Sequence, residues 1–353
     1  APQNVLAASR DGEIAIRTSG HFPIRAAGDG IGLLDGTTSD YEWTGRIPFD
    51  ELPSSRNPSQ GYLASANQMQ VGPAYRYYLG HDWPRSFRSL RINRLLSTKT
   101  SHSVDDLKRY QADVQTVQHE LFRPMLDTLR GVTGMADTLR QVMLDWDGEA
   151  SVDQPAAVVF DEFLDVLAYL TWDEFRDNNL RSPKLPVLYQ LFATEPASRW
   201  MDLEETRLKR ETANDLLALA LEATADSVEL KYGLDQKDWR WGDHHKALFR
   251  HLLRLKPFQR GPYEYPGFAN TLSPAAGRPT TFSASWRMVV DFSGETPIGY
   301  GVYPGGQSGD PASPLYDAHL ETFLNFQYYR LDRPGAPRLI APEKRLHEVV
   351  LTP

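Results

Sequence analysis

The stretch DLKRYQADVQTVQHELFRPMLDTL, residues 106–129, decides how the rest of the chain can be arranged. Its apolar side chains recur at steps of three and four residues, the spacing of one helical face; they are Leu107, Tyr110, Val114, Val117, Leu121, Met125 and Leu129. Ser103, followed by Asp105 and Asp106, is typical of a helix start, because a hydroxyl cap and early acidic residues satisfy free N–H groups. The pattern predicts a helical region that begins after Ser103.

The helical pattern continues along the chain to about residue 255. Three further stretches carry it, namely AAVVFDEFLDVLAYLTWDEF (156–175), ETRLKRETANDLLALALEATADSVELKYG (205–233) and HHKALFRHLL (244–253). Proline separates several of these segments, as expected where one helix ends and another begins. Residues 101–255 are therefore predicted to form a helical insertion.

The sequences on both sides of this helical zone have the short apolar runs and turn residues that are typical of strands. Asp11-Gly12 separates two short apolar runs and indicates a hairpin. TTFSASWRMVVDF (280–292) and IGYGVYP (298–304) are strand-like, a helix is expected from Tyr316 to about Phe326, and one last strand is expected near the C-terminal end. The prediction is an α+β fold, with a strand-rich part at 1–100 and return strands with a terminal helix at 256–353.

The composition excludes several classes of protein. The 353 residues carry a net charge of −8 and no cysteine. Disulfides, thiolate nucleophiles and Cys-ligated zinc are excluded, and the acidic balance argues against nucleic acid as a partner. No run of 18 apolar residues is present, so no membrane span is predicted.

Glycine and histidine motifs give no cofactor site. Gly28, Gly30 and Gly32 lack the spacing of a dinucleotide-binding loop, and GGQSGD (305–310) lacks the lysine of a phosphate-binding loop. The adjacent pair His244 and His245 falls in a predicted helix, where the two rings would point about 100° apart, and no HExxH motif occurs. Nucleotide binding and a zinc site are both disfavoured.

For two features of the sequence, the residues alone allow more than one interpretation. A glycosidase with two catalytic carboxylates is possible, because the chain has eight tryptophans and the acidic pairs Asp161/Glu162 and Glu204/Glu205. Both pairs fall in helical patterns, however, which favours solvent-exposed helix faces instead. Asn67 ends the strand-like run GYLASAN without a following glycine, and the simpler interpretation is a turn residue. The residues by themselves do not name a reaction.

Eight stretches, in this order, resemble the penicillin acylase family of N-terminal-nucleophile hydrolases. They are YEWTGRIPFDELP (41–53), NPSQGYLASAN (57–67), DWPRSFRSLRINRLL (82–96), SVDDLKRYQADV (103–114), LDWDG (144–148), DWRWGDHH (238–245), SASWRMVVDF (283–292) and GQSGDPASPLYDAHLETF (306–323). The resemblance spans nearly the whole chain. It implies part of a four-layer αββα sandwich and an acylase that cleaves an amide, such as a β-lactam side chain or an N-acyl-homoserine lactone.

The resemblance also implies roles for two residues. Asn67 matches the family's side-chain donor to the oxyanion, and Arg88 matches the arginine that supports that asparagine. Gln68 stands where the family often has a second asparagine. Arg91 and Arg94, on the same segment, are expected to be surface cations. Loss of one oxyanion donor costs roughly 3–4 kcal/mol of transition-state stabilisation in other hydrolases.

The nucleophile and the other groups required for catalysis are expected to lie elsewhere in the protein. Ala1 resembles an interior point of the family's large chain, so the resemblance implies an upstream N-terminal Ser nucleophile, an upstream small chain, self-processing of a precursor and export to the periplasm or medium. This stretch alone is then expected to be inactive. The rival reading is a non-catalytic binding or scaffold remnant of the same fold.

No cofactor is expected for the chemistry. The family often holds a structural calcium, but this sequence has no Asp near Tyr77 or Tyr78, and Asp82 is a poor substitute. Any calcium would therefore depend on upstream ligands.

Overall fold

The structure is a computed structural model that describes residues 3–81, 83, 86–206 and 208–331. Its strands are β1 (Gln3–Ala8), β2 (Ile14–Ser19), β3 (Pro23–Arg25), β4 (Trp43–Arg46), β5 (Ser54–Arg56), β6 (Lys246–Phe249), β7 (Arg260–Glu264), β8 (Ala275–Ala276), β9 (Phe282–Ser283), β10 (Arg287–Asp291), β11 (Ile298–Val302) and β12 (Tyr329–Leu331). Its helices are α1 (Phe87–Ser97), α2 (Val104–Gln111), α3 (Val117–Thr128), α4 (Gly134–Asp145), α5 (Pro155–Thr171), α6 (Asp173–Asp177), α7 (Leu185–Thr194), α8 (Ala213–Tyr232), α9 (Trp241–His244) and α10 (Leu320–Leu324). The α+β prediction is confirmed.

The strands form small antiparallel sheets at the two ends of the chain. One sheet has the order β1-β2-β5, another has the order β10-β11-β12, and three strand pairs complete the set. The predicted hairpin is present between β1 and β2, where Gly12 takes a φ of 83° that glycine adopts without steric cost. The hairpin matters for the site because both of its strands line the cavity described below.

The main hydrophobic core lies among the helices. Helix α5 packs against α4, α7 and α8, and α3 packs against α4 and α7. Large fully buried side chains include Phe160, Phe163, Leu139, Met143 and Leu221. Each such side chain stabilises the fold by about 1.5–3 kcal/mol through removal of apolar area from water. None of the described helices is long and apolar enough to cross a membrane.

The long predicted helix of residues 106–129 is interrupted. Ser103 caps α2 as predicted, with Asp106 completing a capping box, but α2 ends at Gln111 and α3 starts only at Val117. Between them the chain pairs with the segment after α4, through Thr116 N–H to Gly148 O and Ala150 N–H to Val114 O. In α3 the predicted Val117 is buried, but the apolar face continues through Phe122 and Leu126, one position beyond the predicted Leu121 and Met125.

Other element predictions are corrected by tertiary structure. HHKALFRHLL is not a helix: α9 ends at His244, and β6 follows and pairs with β7, so His245 and His251 do not lie on a helix. The helix predicted from residue 205 begins only at Ala213, and the C-terminal helix is shorter than expected. The strand-like patterns at 280–292 and 298–304 contain β9, β10 and β11. The last predicted strand lies outside the described residues, and the division into three zones stays a prediction.

Candidate active site

A cavity of about 510 Å³ opens between the N-terminal hairpin and the start of α1. Strand β1 contributes Gln3, Asn4 and Leu6 to its wall, and β2 contributes Thr18. The loop after β5 supplies Ser65–Asn67 and Gln70, and α1 supplies Arg88. Both residues that the resemblance singled out therefore line one cavity.

Asn67 lies in a bend rather than at a strand end. Residues 61–70 contain no strand, so the strand-like interpretation of GYLASAN is wrong. Asn67 has a φ of 66°, in the left-handed region that asparagine tolerates better than most residues. The bend is stabilised by Gln68, whose side-chain Oε1 accepts a hydrogen bond of 2.7 Å from the N–H of the buried Ala66. The local sequence thus favours this bend twice, through Asn67 itself and through the amide beside it.

Arg88 holds the side chain of Asn67. Its Nη2 donates to Asn67 Oδ1 at 2.8 Å and more weakly to Ala66 O at 3.4 Å. A guanidinium has no acceptor atom, so the atom of Asn67 that faces Arg88 must be the carbonyl oxygen and the amide NH2 must point elsewhere. In the described part of the chain, no group accepts a hydrogen bond from Asn67 Nδ2. The contact therefore leaves a side-chain donor free at the cavity.

Burial and charge at Arg88 have a clear consequence. Arg88 is half-buried in the first turn of α1, next to the buried Phe87 that anchors this end of the helix. Burial lowers the pKa of the Arg88 guanidinium from its ordinary value. A guanidinium nevertheless stays protonated in proteins. A positive charge therefore lies behind Asn67, where it polarises the amide and strengthens Nδ2 as a donor.

A chain of polar side chains fixes the hairpin to the Asn67 loop. Asn4 Nδ2 donates to Ser65 Oγ at 2.8 Å. The hydroxyl of the buried Thr18 lies 3.1 Å from Asn4 Oδ1 and 2.5 Å from Gln70 Oε1. Sequence reasoning did not single out these four residues, because they come from segments up to about 60 positions apart and match no motif. The only local signal is the presence of three amide side chains, Asn67, Gln68 and Gln70, within four positions.

Of the two following arginines of α1, Arg94 is an exposed cation as predicted, but Arg91 is not. Arg91 forms an ion pair with Asp113 at 2.6 Å, and both side chains are largely buried. The Asp113 hydrogen bonds raise the pKa of Arg91. Arg94 pairs with Glu120 on α3. The prediction for Arg91 is wrong because Asp113 lies in the break between α2 and α3, which the sequence pattern did not reveal. The pair fixes α1, and with it Arg88, to the helical part.

The carboxylates considered for a glycosidase do not line this cavity. Glu162 is buried rather than solvated, and its side chain accepts from Lys231 at 2.7 Å and Tyr232 at 2.9 Å. Asp161 is paired with Arg278. Glu204 and Glu205 are exposed in a turn, not on a helix. The solvated-face interpretation is therefore wrong for Glu162, and neither of the two acidic pairs contributes to the cavity at Asn67.

The positions considered for calcium have other partners. The Tyr77 hydroxyl donates to Glu51 Oε2 at 2.6 Å, and the Tyr78 hydroxyl lies 2.8 Å from His81 Nδ1. Asp82 lies outside the described residues. Among the residues that the structure does describe, no group of three His, Asp or Glu side chains could hold a metal ion. Metal binding by the whole protein stays an open prediction.

The fold has a clear counterpart among solved structures. The chain superposes on the thermostable penicillin G acylase from Alcaligenes faecalis with a TM-score of 0.66, at 19% sequence identity, over 99% of this chain and 68% of that one. The fold is therefore that of the N-terminal-nucleophile hydrolases, as predicted. The sequence profile described as penicillin amidase matches residues 1–335. This chain belongs to the penicillin amidase family.

Curated relatives agree with this assignment. The chain is 28% identical to the acyl-homoserine lactone acylase QuiP of Pseudomonas fluorescens. The match covers 90% of this chain and 42% of that protein. It is 28% identical to the penicillin acylase 2 proenzyme of a Pseudomonas species over 89% of its length, again 42% of the relative. Penicillin G acylase from Escherichia coli is 24% identical over 65% of this chain. The chain thus spans less than half the length of the relatives it matches.

Proposed function

We propose that the protein to which this chain belongs is an acylase that hydrolyses the amide bond of an N-acylated small molecule. The observation that carries the proposal is the contact between Arg88 and Asn67, which leaves Asn67 Nδ2 free at the cavity. A tetrahedral intermediate of amide hydrolysis carries its negative charge on the former carbonyl oxygen. A fixed amide donor backed by a guanidinium stabilises that charge without reorganisation, which is the largest single contribution in many hydrolases.

The nucleophile in this proposal is the hydroxyl of an N-terminal Ser on a large chain, upstream of residue 1. Its α-amine, with an ordinary pKa of about 8, removes the hydroxyl proton and returns it to the leaving amine. The resulting acyl-enzyme ester is cleaved by water, which releases the acid. Asn67 would donate to the oxyanion in both steps, while Arg88 positions it.

The relatives suggest the substrate class and the maturation. Two of them are named for acyl-homoserine lactones and penicillins, so we propose an apolar acyl group joined to a small amine. One relative is a proenzyme, which supports processing from a precursor. Self-cleavage that creates the N-terminal Ser, a separate small chain, action on β-lactam antibiotics and export to the periplasm belong to the same proposal.

The test is made on the full-length protein. Intact mass and N-terminal sequencing should show a small chain and a large chain that starts with Ser upstream of Ala1. Fluorescamine detection of released amine, with penicillin G and N-acyl-homoserine lactones as substrates, should show turnover. A purified full-length protein that stays a single chain and releases no amine from any of these substrates would overturn the acylase and favour a non-catalytic remnant of the fold.

A further inference from the structure

A cationic stretch interrupts an otherwise acidic chain. Residues 246–260, KALFRHLLRLKPFQR, contain Lys246, Arg250, Arg254, Lys256 and Arg260, and no acidic residue occurs between Asp243 and Glu264. The whole chain has a net charge of −8. The same stretch contains three leucines that are exposed in the structure. Positive charge and exposed apolar surface therefore coincide in one loop between β6 and β7.

Two of these leucines form the tip of a tight turn. Arg254 N–H donates to His251 O at 2.9 Å, so Leu252 and Leu253 occupy the two corner positions. Their exposed fractions are 95% and 75%. We call residues 251–254 the leucine turn. Turn corners normally carry Gly, Pro, Asn, Asp or Ser, each of which helps the backbone to bend. Leucine gives no such help, so these side chains call for another explanation.

The leucine turn is held in a defined conformation. Arg254 has a φ of 59°, which is uncommon for a residue of this type, and Gln259 Nε2 donates to its carbonyl at 3.3 Å. The Leu253 N–H donates to His251 Nδ1, and the His251 ring packs against Phe258 at 4.8 Å between centroids. At the base of the loop, Arg260 is ion-paired with Asp317. The loop therefore presents its leucines at a fixed place.

The cations around the turn are available to a ligand. Within the residues that the structure describes, no ion pair involves Arg250, Arg254 or Lys256. A cavity of about 510 Å³ lies behind the turn. It is lined by Arg250, His251 and Arg254 and by the hydroxyl-bearing Thr281, Ser283 and Ser285. Guanidinium and hydroxyl donors around one space suit a phosphate group.

We propose that the leucine turn docks the protein on an anionic phospholipid surface. Leu252 and Leu253 enter the boundary between headgroups and acyl chains, while lipid phosphates bind Arg250, Arg254 and Lys256. Apolar groups that insert shallowly beside basic residues are how peripheral proteins bind membranes. A free phosphate or a nucleic acid would satisfy the cations but would leave two nearly fully exposed leucines in water. Only a lipid offers a phosphate and a hydrocarbon phase within a few ångströms of each other.

Vesicle co-sedimentation of the full-length protein tests this proposal. We expect binding to vesicles of phosphatidylcholine mixed with phosphatidylglycerol, much weaker binding to phosphatidylcholine alone, and release at high salt. The double variant Leu252→Ser/Leu253→Ser should lower the partition coefficient about ten-fold or more. Arg250→Gln and Lys256→Gln should each lower it about five-fold. Hydrolysis of a water-soluble amide substrate should be unchanged in all of these variants.

The matched control is Leu230→Ser/Leu234→Ser. These leucines are 87% and 60% exposed but lie outside the cationic stretch, so vesicle binding should not change. Three results would overturn the proposal: no binding to the mixed vesicles, equal loss of binding in the control, or binding that the leucine-turn variant retains. A drop in melting temperature specific to the leucine-turn variant, without vesicle binding by the parent, would instead show that another part of the protein covers the turn.

Discussion

Arg88 Nη2 lies 2.8 Å from Asn67 Oδ1, and this hydrogen bond joins the first turn of α1 to the bend that carries the candidate oxyanion donor. The two residues are 21 positions apart, and each is positioned by its own surroundings. Gln68 stabilises the bend, while Phe87 and the Arg91–Asp113 ion pair fix the helix. The geometry of the donor therefore depends on two structural units that meet only in the folded protein.

In the proposed acylase, Arg88→Gln should lower kcat of the full-length protein by about ten- to a hundred-fold with little change in KM. The reason is that a hydrogen bond from a charged donor, worth about 1.5–3 kcal/mol, no longer fixes the Asn67 amide in the transition state. Steady-state kinetics on a penicillin or acyl-homoserine lactone substrate measure the effect. Arg94→Gln, on the same helix and paired with Glu120, is the control and should keep kcat. A merely structural Arg88 would lower the melting temperature and leave kcat of the folded fraction intact.

Asn67→Gly should lower kcat by about 100- to 1,000-fold, because it removes the proposed oxyanion donor. Glycine adopts the φ of 66° without strain, so the bend is preserved and the effect is not due to misfolding. Asn179→Gly is the matched control, since Asn179 is exposed with a φ of 54° and lies outside the cavity. Single-turnover kinetics of acyl-enzyme formation would show the loss directly. Full activity of Asn67→Gly would remove Asn67 from the chemistry.

The fold was predictable from the sequence where local signals and tertiary structure agree. The Asp11-Gly12 hairpin and the Ser103 cap depend on a few neighbouring residues, and both are present. The helix predicted for HHKALFRHLL is wrong because residues 246–249 pair with β7, and no local sequence pattern indicates that pairing. The continuous helical pattern of residues 106–129 failed for the same reason, because backbone groups at 114–116 form hydrogen bonds with the segment after α4.

The candidate site could be located in the sequence only through the family resemblance. Nothing in GYLASANQMQ distinguishes a turn asparagine from a catalytic donor, and both descriptions fit, since Asn67 does lie in a bend. The contact with Arg88 follows from how α1 is placed, which depends on Arg91 and Asp113. The network of Asn4, Thr18, Ser65 and Gln70 carries no spacing signal because it crosses three segments. Side-chain networks of this kind are visible only once the fold is known.

Gln68→Leu should destabilise the Asn67 bend. The N–H of the buried Ala66 then loses its acceptor, which costs about 1–3 kcal/mol. We expect a lower melting temperature together with a lower kcat, because the bend orients Asn67. Gln68→Glu keeps an acceptor oxygen on a side chain of the same length, so the melting temperature and kcat should both stay near the parent values. If Gln68→Leu leaves both unchanged, Asn67 takes its left-handed conformation without help from its neighbour.

The Asp161 carboxyl should make stability fall as the pH rises from about 4 to 6. Burial raises its pKa from 3.8 to about 6, although Arg278 opposes the change. The other charged or titratable groups facing this cluster are Glu162, Asp165, Lys231 and Tyr232. A folded-state pKa above the unfolded one means that the native state binds the proton more tightly. The stabilisation is complete below the unfolded pKa and is lost as the pH passes through the folded pKa.

Asp161→Asn should remove this decline, because the amide does not ionise. The unfolding free energy of the parent should lose about 2 kcal/mol relative to the variant between pH 4 and 6. Urea unfolding at several pH values measures both curves. Asp137→Asn is the control and should follow the parent, because Asp137 is a partly exposed carboxylate paired with Arg140 on α4. A constant difference between parent and Asp161→Asn across this pH range would mean that Asp161 is already ionised throughout, held so by Arg278, and that the ion pair outweighs the burial of the carboxylate.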